Sequence, residues 1–284
     1  QGYYTGYQGR IYNVTAFTAE YLDITFYYTD GFNGGFTLPT NDVLSSMQWI
    51  NNGDHSVTLR CYLTTPGQFY GYSISLGDDG RFKLSIKNKH PAAGKTVILD
   101  PGHGGSDPGA GAIYDGIYES PINLAIAAKV ASILQSQGIH VVMTRTAESD
   151  VTLNERMLMA RQYMPDAYVS IHCDSSTSAS TSGTHTFYYE SFSMPLAASI
   201  HNQMVGAYRY SLYPSGSTEY NNADKQIKFY PFQVTRVEEC PSVLVECGYL
   251  SNATDCSILL TDACQNILAT AIANGIILYF NNQG

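Results

Sequence analysis

The chain has 284 residues, of which 44% are hydrophobic and 14% charged, and a formal net charge of −9. This describes a folded chain with room for two domains, and it excludes a disordered one. The acidic balance argues against nucleic acid or an anionic membrane surface as the main partner. No run approaches the ~20 apolar residues that cross a bilayer, so no membrane-spanning segment is expected. The first residue is Gln1, not Met, which suits a removed leader or a trimmed end. The six cysteines form no CxxC pair, so a zinc ribbon is not expected, while disulfides remain open. Low charge with 23 tyrosines suits an extracellular protein.

Residues 1–92 read as a small all-β, sandwich-like domain. Ile24 to Tyr28 is a strand, followed by a turn-rich stretch from Asp30 to Gly35. Val57, Leu59, Cys61 and Leu63 alternate with polar or long residues, as in a half-buried strand. Gly71 to Ile86 has the shape of a hairpin turning at Gly77-Asp78-Asp79-Gly80. The aromatic side chains of this part either fill its core or stack on sugar rings. Lys87 to Gly94 is polar with Pro and Gly and reads as a linker.

Residues 93–284 alternate strand and helix, which predicts an α/β domain: a mostly parallel twisted sheet with helices on both faces. The apolar run Val97-Ile98-Leu99 is a buried strand that breaks into Asp100-Pro101-Gly102-His103-Gly104-Gly105. Ser120-Pro121 reads as a helix start, with Ser120 as the cap. Ile122, Ile126, Val130, Ile133 and Leu134 share one face of that helix, and Gly138 ends it. A strand over 139–144 and a helix over 152–162 follow, with Leu153, Met157, Leu158 and Ala160 as core positions. Further strands are predicted at 167–172, 184–189, 234–237 and 242–246, helices at 195–208 and 262–280, and a surface loop over 213–226.

Three strands end on groups with chemistry: His103, His172 and Glu246. In a parallel sheet such ends lie along one edge, where ligands bind. Glu119, just before a helix, joins them. Two histidines and one carboxylate make a zinc set with a position left for water, and Glu246 is then free to act as base. Each residue alone has a plainer reading. His103 can be a loop hydrogen-bonder, His172 a satisfied core histidine, and Glu119 a helix-dipole partner. Glu246 is costly to bury unpaired. His185 is the one spare histidine near the site. His140, His201, His55 and His90 lie elsewhere.

VILDPGHGGSDPGA (97–110), Glu119 before a helix, VVMTR (141–145), LNERMLMA (153–160), YVSIHCDSS (168–176) and PSVLVECGYLSN (241–252) occur in this order. In this the segment 95–280 resembles the zinc-dependent N-acetylmuramoyl-L-alanine amidases of the DPGHGG-motif family. The resemblance implies one Zn²⁺ held by His103, Glu119 and His172, with Glu246 as the catalytic glutamate. It implies peptidoglycan as substrate, cleaved between the lactyl group of N-acetylmuramic acid and the L-alanine of the stem peptide. It implies secretion to the cell wall, with residues 1–92 able to bind other wall polymers or a partner. Asp100 and Ser170 are expected to support the ligands. The sequence departs from the family's usual pattern at Cys173 and Asp174, where a small residue and Asn are common, and at Tyr249, where Phe is common. Alternation along the strand points Cys173 away from the metal. The segment between Gly109 and Glu119 is too short for the inhibitory helix of some relatives, so an open site is expected. The loop glycines are expected to leave room for a bulky muramyl group. Two alternatives stay in view: a zinc peptidase acting within the stem peptide, and a catalytically inactive wall-binding protein.

Overall fold

The computed structural model describes residues 12–31, 38, 41–76, 82–88 and 94–283. The expected turns at 32–35 and 77–80 and most of the linker lie outside them. The chain divides into two compact units, residues 1–89 and 90–284.

In the first unit, β1 (Tyr12–Phe17), β2 (Tyr21–Tyr27), β3 (Leu44–Asn51) and β4 (Ser56–Leu63) form an antiparallel sheet in the order β1-β2-β4-β3. The expected alternation holds on β4, where Val57, Leu59, Cys61 and Leu63 are buried, opposite Leu22, Ile24 and Phe26 of β2. The polar positions between them are occupied by partners of their own. Arg60 makes a two-toothed contact to Asp23, both bonds 2.8 Å, and Thr25 and Thr58 hydroxyls meet at 2.8 Å. β5 (Tyr72–Leu76) and β6 (Phe82–Ile86) pair as the expected hairpin. Phe26, Phe69, Tyr70 and Tyr72 are buried, so these aromatics belong to the core, whereas Tyr28 is exposed.

The second unit contains β7 (Thr96–Pro101), α1 (Glu119–Ser136), β8 (His140–Met143), α2 (Leu153–Tyr163), β9 (Ala167–Asp174), β10 (Thr184–Tyr188), α3 (Met194–Ala207), α4 (Thr218–Asn222), β11 (Asp224–Phe229), β12 (Ser242–Tyr249), α5 (Ala253–Leu259) and α6 (Asp262–Asn282). The sheet runs β11-β10-β12-β9-β7-β8, parallel except where β10 meets β12. Val97, Leu99, Val169, Ile171, Val243 and Val245 face one core with α1, α3 and α6. Ile98, Tyr168 and Leu244 face the other, with Ala160 of α2. Burial on both faces explains why these strands read as continuous apolar runs.

Several sequence expectations are corrected here. Ser120 is not the cap of α1. The helix begins at Glu119 and its N-cap, Tyr118, makes no side-chain bond, while Ser120 lies inside the first turn, where its hydroxyl donates to Glu148 at 2.6 Å and accepts from Arg145 at 3.1 Å. Leu153 and Leu158 of α2 are more than half exposed, and Arg156 is buried instead. The helix turns its one charged inward position toward a buried carboxylate, Asp100, and that pairing outweighs the apolar periodicity. Residues 213–226 are not a plain loop, since α4 and the start of β11 lie there. The expected strand at 234–237 is a 3-10 turn, Val234–Arg236. All six cysteines are buried free thiols. Finally, α6 is long and apolar enough to span a membrane by length and composition, against the expectation that no segment was. It is a core helix: Leu268, Ala269, Ile272, Ala273 and Ile276 are fully buried.

Candidate metal centre

The site is a row across the sheet. Glu246 of β12 is in register with His172 of β9 on one side and with His185 of β10 on the other. Cys173 points away into the core with Val169 and Ile171, as its place on the strand predicts. His103 follows β7 directly, at φ +61, a left-handed conformation held by the surrounding loop.

Two buried guanidinium groups hold that loop. Arg145 donates to the carbonyls of Pro101 (3.0 Å) and Gly102 (3.0 Å). Arg156 donates to the carbonyls of Pro101 (2.9 Å) and His103 (2.7 Å), and pairs with Asp100. Asp100 also accepts from Thr144 (2.7 Å) and Ser170 (2.7 Å). Burial pushes the Asp100 carboxyl up, but the Arg156 charge and these hydroxyls outweigh it and keep it below the ordinary range. Asp100 and Ser170 thus act on His103 through Arg156, not by touching it.

His103, Glu119 and His172 converge, each offering one ligand atom within 4.8 Å of the others. His172 Nδ1 is 2.8 Å from Glu119 Oε1, and His103 Nε2 is 3.2 Å from Glu119 Oε2. The Glu119 carboxylate also accepts from the backbone N–H of Ala110 (3.0 Å) and Cys173 (3.0 Å), and from Asn123 (3.0 Å). Burial raises its carboxyl, while the two imidazoles more than compensate and drive it far down. The bond to Glu119, then that to Asp107, pushes His103 up to about 9. The donors fit a divalent metal of the zinc type: two imidazole nitrogens and a carboxylate, fixed by buried supports. The Asp107 carboxylate lies 2.8 Å from His103 Nδ1 and accepts its proton, so Nε2, which faces Glu119, is the nitrogen placed to ligate a metal.

The loop glycines serve this convergence more directly than expected. A Cβ on Gly102 would overlap the His172 ring, and one on Gly109 would lie 2.7 Å from both Glu119 Oε2 and His103 Cδ2. They make room for the candidate donor side chains themselves.

Glu246 faces the same cleft, of about 760 Å³, from its other wall. Its Oε2 is buried without a hydrogen-bond partner. Burial, then the anions of Asp174 and Glu119, holds its carboxyl well above the usual carboxylate range. An orphaned, perturbed acid in a cleft makes Glu246 a candidate for chemistry.

A family profile, Amidase_3, described as N-acetylmuramoyl-L-alanine amidase, matches residues 97–278. The chain belongs to this family. Among similar proteins, the amidase-family chain is 35% identical over 195 residues to YqiI of Bacillus subtilis, whose function is uncharacterized, covering 67% of this chain and 87% of that one. It is 30% identical over 198 residues to the N-acetylmuramoyl-L-alanine amidase LytC of Bacillus subtilis, covering 70% of this chain but 38% of that longer protein. Among solved structures, the catalytic domain of the amidase CwlV from Bacillus (Paenibacillus) polymyxa var. colistinus superposes with a TM-score of 0.60 at 36% identity, over 66% of this chain and 98% of that domain. The stretch that the family profile matches lies within the second unit.

All four residues singled out from sequence line this cleft. Sequence reasoning missed the roles of Arg145, Arg156, Asp107 and Asn123. Arg145 and Arg156 stood inside quoted motifs, yet nothing in a linear pattern marks a charge as buried. His185, the spare histidine, lies beside Glu246 but is bonded to Asp174 and Lys228.

Proposed function

We propose that the chain is a peptidoglycan amidase that hydrolyses the amide between the lactyl group of N-acetylmuramic acid and the L-alanine of the stem peptide. His103, Glu119 and His172 hold one zinc ion, and Glu246 is the catalytic acid–base. The observation that carries this is the placement of an orphaned Glu246 carboxyl across one cleft from three converged metal donors. The bound metal supplies a Lewis acid, which lowers the pKa of water to about 7 and polarises a carbonyl oxygen.

The chain's own residues do the rest. Asp107 and Glu119 orient the imidazoles, so little reorganisation is needed when the donors bind. Glu246 takes a proton from the attacking water and returns it to the amide nitrogen. An amide nitrogen leaves poorly unless protonated, so this second transfer is as necessary as the first.

This reading puts the protein outside the cell membrane, at the wall. The β-rich first unit then binds wall polymers or a partner in support of the catalytic domain. Sedimentation with insoluble wall material, comparing the full chain with one starting at residue 93, tests that role. Digestion of purified peptidoglycan with labelling of new amino termini tests the activity. New L-alanine termini are expected. Termini from other stem residues would mean a peptidase, and no new termini with zinc bound would mean a wall-binding protein.

A further inference from the structure

Asp174 and Tyr249 are paired across β9 and β12. Both lie against His185: Nε2 is 2.9 Å from Asp174 Oδ2, and the Tyr249 ring centroid is 5.8 Å from that of the imidazole. Burial, then the Asp174 anion, pushes the Tyr249 phenol up. On its far side, His185 Nδ1 is 3.0 Å from Lys228 Nζ.

The order of these contacts settles the protons. An ammonium only donates, so His185 Nδ1 accepts, and Nε2 carries the hydrogen and donates to Asp174. Burial, with Lys228 nearby, lowers the His185 pKa and favours this neutral form. The Ser175 N–H donates to the other Asp174 oxygen at 2.7 Å. Asp174 is therefore aimed from behind by two neutral donors. The positive charge of Lys228 is kept one ring away, so it does not neutralise the carboxylate. The Asp174 side chain is 30% exposed and lines the cleft. One ligand atom each of Asp174, His185 and Glu246 lies within 4.8 Å of the others.

Resting on the amidase reading, we propose that Asp174 binds the amine that the reaction releases, the α-ammonium of the stem peptide's L-alanine, and that His185 and Lys228 position it. Hydrolysis adds water across the C–N bond. The oxygen goes to the lactyl carboxylate and both protons go to the nitrogen, which leaves as an ammonium. That cation forms where Glu246 delivers its proton, next to the Asp174 carboxylate. The unpartnered Glu246 Oε2 marks the same point from the other side. The chief competitor, a second metal ion at Asp174, His185 and Glu246, meets an obstacle in His185. With Nδ1 accepting from Lys228 and Nε2–H donating to Asp174, the ring has no lone pair to offer.

The experiment is calorimetry on the zinc-loaded full chain with L-alanyl-D-isoglutamine and with its N-acetyl derivative, which lacks the cation. The free amine should bind about tenfold more tightly, as expected for one charge-assisted bond. In Asp174→Asn the gap should shrink to less than about twofold. Lys228→Met, at an edge-strand position, should narrow it while the melting temperature stays near wild type. Equal binding of the two peptides, failure of the free amine to bind, a gap that survives in Asp174→Asn, or a second equivalent of zinc in the wild type would each overturn the proposal. Peptidoglycan digestion reports separately. Loss of L-alanine termini there sinks the amidase reading, whereas the peptide comparison decides the role of Asp174 by itself.

Discussion

Arg156 Nη2 donates to the carbonyl oxygen of His103 at 2.7 Å, while its Nη1 pairs with Asp100. One buried guanidinium thus ties α2 to the loop that carries His103, a candidate metal donor. A lysine there keeps the charge and loses the fork that reaches both partners. Arg156→Lys should weaken zinc binding about 10- to 100-fold, as outer supports of metal sites do, measured by competition with a chromogenic chelator. Unchanged affinity would reduce Arg156 to a purely structural ion pair.

Asp100 gives that ion pair a pH signature. Its folded carboxyl lies below the ordinary value of 3.8, held there by Arg156, Thr144 and Ser170 against burial. A depressed carboxyl contributes stability that is present above the unfolded pKa and lost as pH falls through the folded one. The wild type should therefore keep this contribution down to pH 4 and lose it below. In Arg156→Met burial acts with its main opponent removed, and the carboxyl rises. The acid-unfolding midpoint should then move toward neutral pH, with a loss of about 3–5 kcal/mol at pH 7 from the unpaired buried charge. Circular dichroism across a pH series reads both.

Gly102→Ala is a steric test of the metal centre. The added Cβ would occupy the space of the His172 imidazole. The variant should fold, since the sheet on either side is unaltered, but hold markedly less than one zinc per chain by elemental analysis. Full zinc content would show that His172 can ligate from another position, or that it does not ligate.

Glu246→Gln and His172→Ala separate the two kinds of site residue. The first should keep its metal and lose turnover by about 10²- to 10⁴-fold, the range for an acid–base group. The second should lose the metal. Zinc loss in Glu246→Gln would contradict its role as a non-ligand.

How much of this could be read from the chain alone follows from the range of the forces involved. Val97-Ile98-Leu99 breaking into a Pro-Gly loop, Gly138 closing α1, and Thr152 with Glu155 capping α2 are matters of neighbouring residues. Their spacing marks the elements directly. The placement of His103, Glu119, His172 and Glu246 at one sheet edge was legible for a related reason: parallel strands put all their ends on one side.

Only the tertiary structure decided which charges lie inside. Leu153 and Leu158 have the periodicity of a core face, yet α2 turns Arg156 inward, because Asp100 and two carbonyls across the fold await it. The joining of Asp174, His185, Lys228 and Tyr249 likewise depends on strand order, with β10 inserted antiparallel beside β12. No local preference encodes that order. The sequence by itself determined the family, most of the elements of the second unit and the candidate metal donors. The fold alone determined which carbonyls and carboxylates those buried cations meet, because a cation leaves water only where partners from distant segments replace its hydration.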